Sequence, residues 1–481
     1  MAFIRKVKTA SGATAIQIAH KSQGRIVRIE HLGSAHNEAD VNTLISLAKK
    51  RLLGGQQLLF PLAEESLQIS LKQSFSGLLF RVLIEQYKVL GFEQLSDEDF
   101  AYLCVARIVE PTSKLDSLRV LSDLGIQGLT KDRLYRCVKR IIDQDYRSTI
   151  SKTCFAHANR HALSLVLYDV TTLYFEAPQE DNYRKAGLSK ERRLDPQIII
   201  GLLVDQHGFP LGLHSFEGNT AETNTILPVL EQFRLRHNID TITVVADAAM
   251  LSAKNLQALT QAGYKYIVGS RLYKVPYEIA DYQKKQVLSD QQIVVTQQSD
   301  YRIVYQYRAK RAALDIRNIQ KQIAKAENII LGKSPAKKNK FLALKTTEKK
   351  LNQSLINKAY ALAGIKGYVT NLNIADELVI AFYHQLFHVE ASFRMAKSDL
   401  KARPIFHRKR DAIEAHLTLV LSALAVAKNI EQQTGISIRK FVQVLRPIRN
   451  GTVIINGQEY VAKEEISKDI HILLNKLQSG H

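Results

Sequence analysis

Two acidic residues interrupt the most apolar β-forming stretches of this 481-residue chain, and any fold it adopts must be built around them. The first is Asp169 in LVLYDVTTLYF and the second is Asp247 in TITVVADAAMLS. Carrying a carboxylate into an apolar layer costs several kcal/mol unless it is paired or holds a cation. Each acid alone also has an ordinary reading. Asp169 fits an acid buried against an arginine or a backbone amide, and Asp247 fits a helix-capping aspartate. An acid at the carboxyl end of an apolar strand, just before a helix, is also where α/β folds place site residues.

The pattern around these acids predicts the architecture. From about residue 161 the period changes from helical to β. Leu163–Tyr168 and Thr171–Phe175, Ile198–Val204 and Leu211–Ser215 read as strands, the second and third joined across Asp205-Gln206-His207-Gly208. Asn219 with Glu222 reads as a capping box opening a helix to about Arg236. Thr241–Ala246 is a strand, Ser252–Ala262 a helix and Tyr264–Gly269 a further strand. This order is that of an α/β, ribonuclease-H-like core, here residues 161–270 and 367–435, interrupted by an insertion at 271–366. The insertion is β-rich at first (Gln292–Tyr307) and then helical (Ile316–Ile330). Residues 1–40 read as a small β unit and 41–160 as a helical DNA-binding region. In the latter, Ser96 signals one helix start, Thr112 and Ser113 another, and Thr130–Ile142 is amphipathic and basic. Residues 436–481 form a C-terminal tail.

Lys and Arg number 67 against 46 Asp and Glu, a net charge of +21. Such a balance points to a polyanionic partner, nucleic acid above all. An excess of twelve falls within 301–360, which holds 15 Lys and Arg against 3 Asp and Glu. A run of like charge is often a solvated face; this asymmetry favours a phosphate-contacting surface. In the opening β unit, Arg5, Lys6, Lys8, Arg25 and Arg28 fit either a solvated surface or a DNA contact. An anionic membrane is the rival partner, but no apolar run approaches the roughly 20 residues needed to span a bilayer. The first residues carry charge without an apolar signal core, so no secretion signal is expected. Cys104, Cys137 and Cys154 are isolated, which argues against a zinc ribbon or disulfide framework and for a reducing cytoplasm. Any metal here is expected on oxygen ligands.

The third acid is read through its neighbours. In AFYHQLFHVEASFRMAKSDL, Tyr383, Glu390 and Lys397 recur every seven residues, and Arg394 follows Glu390 by four. On one continuous helix these share a stripe. An exposed Glu–Arg pair is the ordinary reading. Together, however, three carboxylates from two strands and a late helix suit two Mg²⁺ or Mn²⁺ ions, which take hard oxygen ligands and fill the remainder with water and phosphate.

These residues resemble the DDE transposases of bacterial insertion sequences, in the group with a tyrosine–arginine–glutamate–lysine signature on the last catalytic helix. Tyr383, Glu390 and Lys397 match that signature in register, and Asp169-Val170-Thr171-Thr172 resembles the strand of the first aspartate. The arginine position is Leu386, with Arg394 as the candidate replacement, and the glycine often found after the second aspartate is Ala249. Arg403-Pro404-Ile405-Phe406-His407, the helix with His416, the opening β unit and ARIVEPTSKL (Ala106–Leu115) also resemble the group. The resemblance implies a catalytic and metal-binding triad of Asp169, Asp247 and Glu390, with Tyr383, Arg394, Lys397, Arg403 and His407 on DNA phosphate. It implies an endonuclease and strand transferase that cuts the terminal inverted repeats of its element and joins them to target DNA. It further implies a homodimeric synaptic complex at the bacterial nucleoid, in the cytoplasm. Two alternatives share the residues: a related nuclease without strand transfer, and a non-catalytic DNA-binding derivative. A metal-free structural protein with buried acids is a third.

Overall fold

The computed structural model describes residues 2–52, 69–160, 163–176, 179–187, 195–239, 241–250, 252–335, 339–343, 350–403, 405 and 407–478. It divides into two compact units, residues 1–70 with 454–458, and residues 71–453 with 459–481. In the first, β1 (Ala2–Lys8), β2 (Thr14–Ser22) and β3 (Arg25–Ala35) form an antiparallel sheet. Helix α1 (Glu38–Leu52) packs on it, and Ile16, Ile18 and Ala48 make the core. Arg5, Lys6, Lys8, Arg25 and Arg28 all face solvent.

After β4 (Ile69–Phe75), the second unit begins with five helices: α2 (Gly77–Val89), α3 (Glu98–Val109), α4 (Ser117–Asp123), α5 (Lys131–Asp143) and α6 (Tyr146–Asn159). Short polar side chains satisfy otherwise orphaned amides at the starts of α3, α5 and α6. Thr130 accepts from the Arg133 amide and Asp145 from that of Ser148. The cap of α3 is Asp97, one residue after the expected Ser96, because Ser96 sits in the left-handed region and Asp97 takes the extended cap geometry.

An eight-stranded mixed sheet forms the centre. Its strands are β5 (Leu165–Tyr174), β6 (Gln197–Asp205), β7 (Pro210–Glu217), β8 (Thr243–Ala246), β9 (Lys265–Ser270), β10 (Ile293–Gln297), β11 (Arg302–Tyr307) and β14 (Ile365–Thr370). Their order in space is β10-β11-β14-β9-β8-β5-β6-β7. Strands β5, β8 and β9 run parallel, and the other pairs are antiparallel. Parallel strands need crossovers, supplied by α7 (Ile226–His237) and α8 (Ala253–Gln261). Every residue of β6 is buried, as expected where both faces of a sheet are covered. The Asn219–Glu222 pair does not cap α7: a 3₁₀ turn at Glu222–Asn224 intervenes and is held by Asn255, whose side-chain amide donates to the Thr223 carbonyl at 2.6 Å.

The expected paired strands of 292–307 are present as β10 and β11, but they extend the central sheet through β14. Around them lie α9 (Tyr277–Lys285), the 22-residue α10 (Ala309–Ile330), the short strands β12 (Leu342–Ala343) and β13 (Lys350–Leu351), and α11 (Gln353–Ala361). Of the basic stretch, Lys337, Lys338, Lys345 and Lys349 lie outside the described residues, as do Pro404 and Phe406.

The pattern from Asp376 to Leu400 reads as one helix and folds as two, α12 (Asp376–His384) and α13 (Phe387–Ser398). At the junction the amides of Gln385, Leu386, His388 and Val389 each bond the carbonyl three residues back. Such tightening rotates the second helix relative to an α-helical continuation of the first. Tyr383 therefore lies on one helix, and Glu390 and Lys397 on the next.

Helix α14 (Arg410–Thr434) has a length and composition that would allow it to cross a membrane, against the expectation that no such run exists. It is instead the core helix of this unit, buried almost throughout against α3, α5 and β7. Helix α15 (Ile438–Leu445), strands β15 (Asn450–Ile455) and β16 (Gln458–Ala462), and α16 (Lys468–Gln478) complete the chain. Cys104, Cys137 and Cys154 are buried free thiols.

Candidate active site

Strands β5 and β8 place the first two acids side by side. Their parallel register runs from Leu165 opposite Thr243 to Tyr168 opposite Ala246. The next step brings Asp169 beside Asp247, on neighbouring strands about 4.8 Å apart. Asp169 is half-buried within β5, whereas Asp247 emerges into solvent where β8 ends. Glu390 lies in the first turn of α13 and is exposed. All three carboxylates line one cleft of about 300 Å³, together with Lys366, Tyr383, Leu386 and Phe387.

Packing determines where Glu390 stands. Val389, Phe393, Met395 and Ala396 bury one face of α13. The buried Ser392 hydroxyl donates to the Gly208 carbonyl at 2.7 Å. Gly208 belongs to the β6–β7 turn, where one Asp205 carboxylate oxygen accepts from the amides of His207 and Phe209, each at 2.8 Å. The turn positions the helix, and the helix positions the acid.

Tyr383 is buried at the back of the cleft and donates to Asp247 Oδ1 at 2.9 Å. Burial, reinforced by the Asp247 charge, pushes its phenol well above the ordinary range, so it remains a donor. Gly269 makes room for it, since a Cβ there would fall 2.5 Å from the Tyr383 hydroxyl.

Lys366 is the cation that sequence reasoning missed. It sits near the start of β14, at what reads as the end of an insertion, and its Nζ lies 4.3 Å from the Tyr383 ring centroid. Burial, and to a lesser degree Arg311, lowers its pKa, against the upward pull of Asp247 and Glu390. The only signal in the sequence is the alternation of Lys366, Tyr368 and Thr370 on one face of a short strand.

The other predicted phosphate ligands lie elsewhere. Leu386, at the family's arginine position, lines the cleft, and Arg394 is exposed but is not among its lining residues. Lys397 donates to the Thr171 hydroxyl, tying α13 to β5 two residues beyond Asp169. Arg403 and His407 line a separate cavity. Lys397→Met is therefore expected to lower the melting temperature and leave the salt dependence of DNA binding unchanged. A changed salt slope at an unchanged melting temperature would instead put this ammonium on DNA.

The donor set fits Mg²⁺ or Mn²⁺: three carboxylates, all oxygen, opening on a polar cleft. Among the described residues no three His, Cys, Asp or Glu side chains gather around a single point. Mg²⁺ and Mn²⁺ take hard oxygen ligands of this kind and complete their shell with water and phosphate.

The family profile for the transposase DDE domain matches residues 160–426, more than half of the chain. The chain belongs to the DDE transposase family. The matched segment begins just before β5 and ends within α14, so it holds Asp169, Asp247 and Glu390 together with the strands and helices that carry them. Membership implies a DNA-cleaving enzyme. No curated protein matches the chain significantly. Among solved structures, a piggyBac transposase synaptic complex with hairpin DNA, determined by cryo-EM, is similar to this DDE transposase at 12% identity. The similarity covers 77% of this chain and 79% of that one, with a TM-score of 0.41.

Proposed function

We propose that this chain cleaves DNA at the ends of an insertion sequence and joins the freed ends to target DNA, with Asp169, Asp247 and Glu390 as the catalytic carboxylates. The observation that carries the reading is their convergence on one cleft from two parallel strands and a late helix, inside the segment that matches the family. The order β7-β6-β5-β8-β9 supports a ribonuclease-H-like core, with residues between β9 and α12 inserted into it.

Asp169, Asp247 and Glu390 would hold the divalent ions. When bound, two such ions supply activation of the attacking oxygen and neutralisation of charge on the leaving one. The protein's own groups do the rest. Tyr383 fixes one oxygen of Asp247 and leaves the other for ligation. Lys366 adds a positive charge to the cleft that Asp247 and Glu390 line, where a scissile phosphate would enter. The Lys397–Thr171 contact holds β5 in register with α13. Cutting and joining can share one site because each step exchanges one oxygen for another on phosphorus.

The test is incubation of labelled DNA bearing the element's ends with Mg²⁺ or Mn²⁺ and a target plasmid. Metal-dependent nicks at the ends and joined products support the reading. Nicks without joined products would favour a related nuclease, and binding without nicks a DNA-binding derivative. Two variants probe the Tyr383 contact. A hydrogen bond to a charged group contributes about 1.5–3 kcal/mol. Tyr383→Phe should therefore slow cleavage roughly tenfold to a hundredfold, and Gly269→Ala should do likewise by displacing the hydroxyl. Full activity in Gly269→Ala would show that the Tyr383–Asp247 bond is dispensable.

A further inference from the structure

The N-terminal sheet has one covered face and one open face. Helix α1 covers the first, where Ile16 and Ile18 join Ala48 in the core. Alternation along each strand turns the neighbouring residues to the other side. There the antiparallel registers align Phe3, Ala19 and Ile29 in one row across β1, β2 and β3. The next row is Arg5, Gln17 and His31. Phe3, Arg5, Ile29 and His31 are exposed, and Gln17 stands half-buried between the small side chains of Ala15 and Ala19. A sheet face turned to water is ordinarily polar. This one sets two exposed apolar side chains beside three hydrogen-bonding ones.

Charge selects the partner. Residues 1–35 hold six Lys and Arg against one acid, Glu30, which is paired with Arg51 of α1 at 2.6 Å. So basic a unit suits a polyanion. A surface that met phosphates alone would need nothing but cations, whereas the row of Arg, Gln and His suits base edges. A guanidinium pairs with guanine O6 and N7, a carboxamide pairs with adenine N6 and N7, and apolar side chains contact the thymine methyl. The dimensions agree. Two strand spacings of about 4.8 Å make the sheet roughly 10 Å across, and the major groove is about 12 Å wide. Successive rows lie two residues apart, about 7 Å, close to two base-pair steps of about 3.4 Å. Strands are a known means of entering that groove.

We propose that the open face of the β1–β3 sheet enters the major groove of duplex DNA and reads its sequence. Arg5, Gln17 and His31 read base edges, and Phe3 and Ile29 pack on thymine methyl groups. The inference rests on the DNA-processing reading of the carboxylate cleft and adds a means by which one duplex sequence is chosen over another.

The test uses the full chain and a pool of duplexes with a randomised central segment. The wild type should enrich a motif, and Arg5→Ala and Gln17→Ala should each lose preference at positions within it. On the enriched duplex each variant should bind about fivefold to a hundredfold more weakly. Gln17→Ala removes no charge, so its affinity for a scrambled duplex and its log–log salt slope should match those of the wild type. Replacing the motif's purines by 7-deazapurines removes N7 from the major groove alone; this should weaken the wild type strongly and Gln17→Ala less. Thermal melting checks folding, and Arg5 is exposed, so its variant carries the test should Gln17→Ala fail to fold. Absence of any enriched motif, or a motif and affinities unchanged in both variants, overturns the proposal. Equal weakening on every duplex also overturns it and assigns the face to phosphates. An altered oligomeric state in Phe3→Ser and Ile29→Ser, with the motif unchanged, assigns the face to a second copy instead. The selection requires no cleavage. A variant-sensitive motif in a wild type that never cuts end-bearing DNA therefore keeps this proposal and sinks the catalytic reading, and cleavage with variant-insensitive binding does the reverse.

Discussion

Asp169→Asn is expected to abolish DNA cleavage while leaving the protein folded and able to bind DNA. Asparagine keeps the shape of the side chain and removes the charge. Asp169, Asp247 and Glu390 line one cleft, and on the proposed reading Asp169 is a ligand of the catalytic metal. Transition-state charge stabilisation at such a site is worth several kcal/mol. At about 1.4 kcal/mol per tenfold, the cleavage rate should fall by about a thousandfold or more. Asp247→Asn and Glu390→Gln should have comparable effects. The check is single-turnover cleavage of end-bearing DNA in Mg²⁺, alongside binding in Ca²⁺ or EDTA. Near-normal cleavage by any one variant removes that residue from the triad. Loss of binding together with cleavage would make the carboxylates structural.

Asp97→Ala is expected to be strongly destabilising, at about 2–3 kcal/mol, from the lost helix cap and the lost hydrogen bonds to a charged group. Asp97 caps α3 through the Phe100 amide and accepts from Arg140 at 2.7 and 2.8 Å and from the Tyr146 hydroxyl at 2.8 Å. Its side chain is only 4% exposed. The substitution removes the cap and leaves Arg140 dependent on Asp99 alone, which is a large fraction of a typical domain's 5–15 kcal/mol. Asp97→Asn should cost less, because asparagine still caps. The same carboxylate makes the helical region acid-sensitive. Burial pushes the pKa of Asp97 up, but hydrogen bonds from Arg140, Tyr146 and the Phe100 amide outweigh it, so the folded value lies below the ordinary one. A depressed folded pKa contributes stability that is complete above the unfolded value of about 3.9 and is lost as pH falls through the folded one. Melting curves of wild type and Asp97→Ala should therefore lie far apart at pH 7 and converge below about pH 4. A melting temperature for the alanine variant within a degree of wild type at pH 7 would show that the network is idle.

The strands that carry the acids are legible because their signal is local. Asp169 and Asp247 each sit in a run of apolar, β-branched residues, and such runs become central strands of a covered sheet wherever the chain can bury them. The order of strands and helices from Leu165 to Ser270 follows from the same periodicity. Glu390 stands out by its spacing, although the single helix from Tyr383 to Lys397 that this spacing implies is divided at one tightened turn. No residue between His384 and Phe387 signals that break. It arises from hydrogen bonds to carbonyls three residues back, while α13 docks through Ser392 onto the Gly208 turn.

By itself, the sequence determined which residue types cluster in which strands, that the partner is anionic, and which family the chain resembles. The tertiary structure alone decided which cations meet the acids. Lys366 reaches the cleft because β14 pairs with β9 across nearly a hundred intervening residues, while Lys397 is turned onto Thr171 and Arg403 onto Tyr174. Hydrophobic periodicity records which face of a segment is buried, but a charged side chain at the edge of that face carries no mark of its partner. That partner is set by strand order, helix rotation and the few hydrogen bonds that fix both.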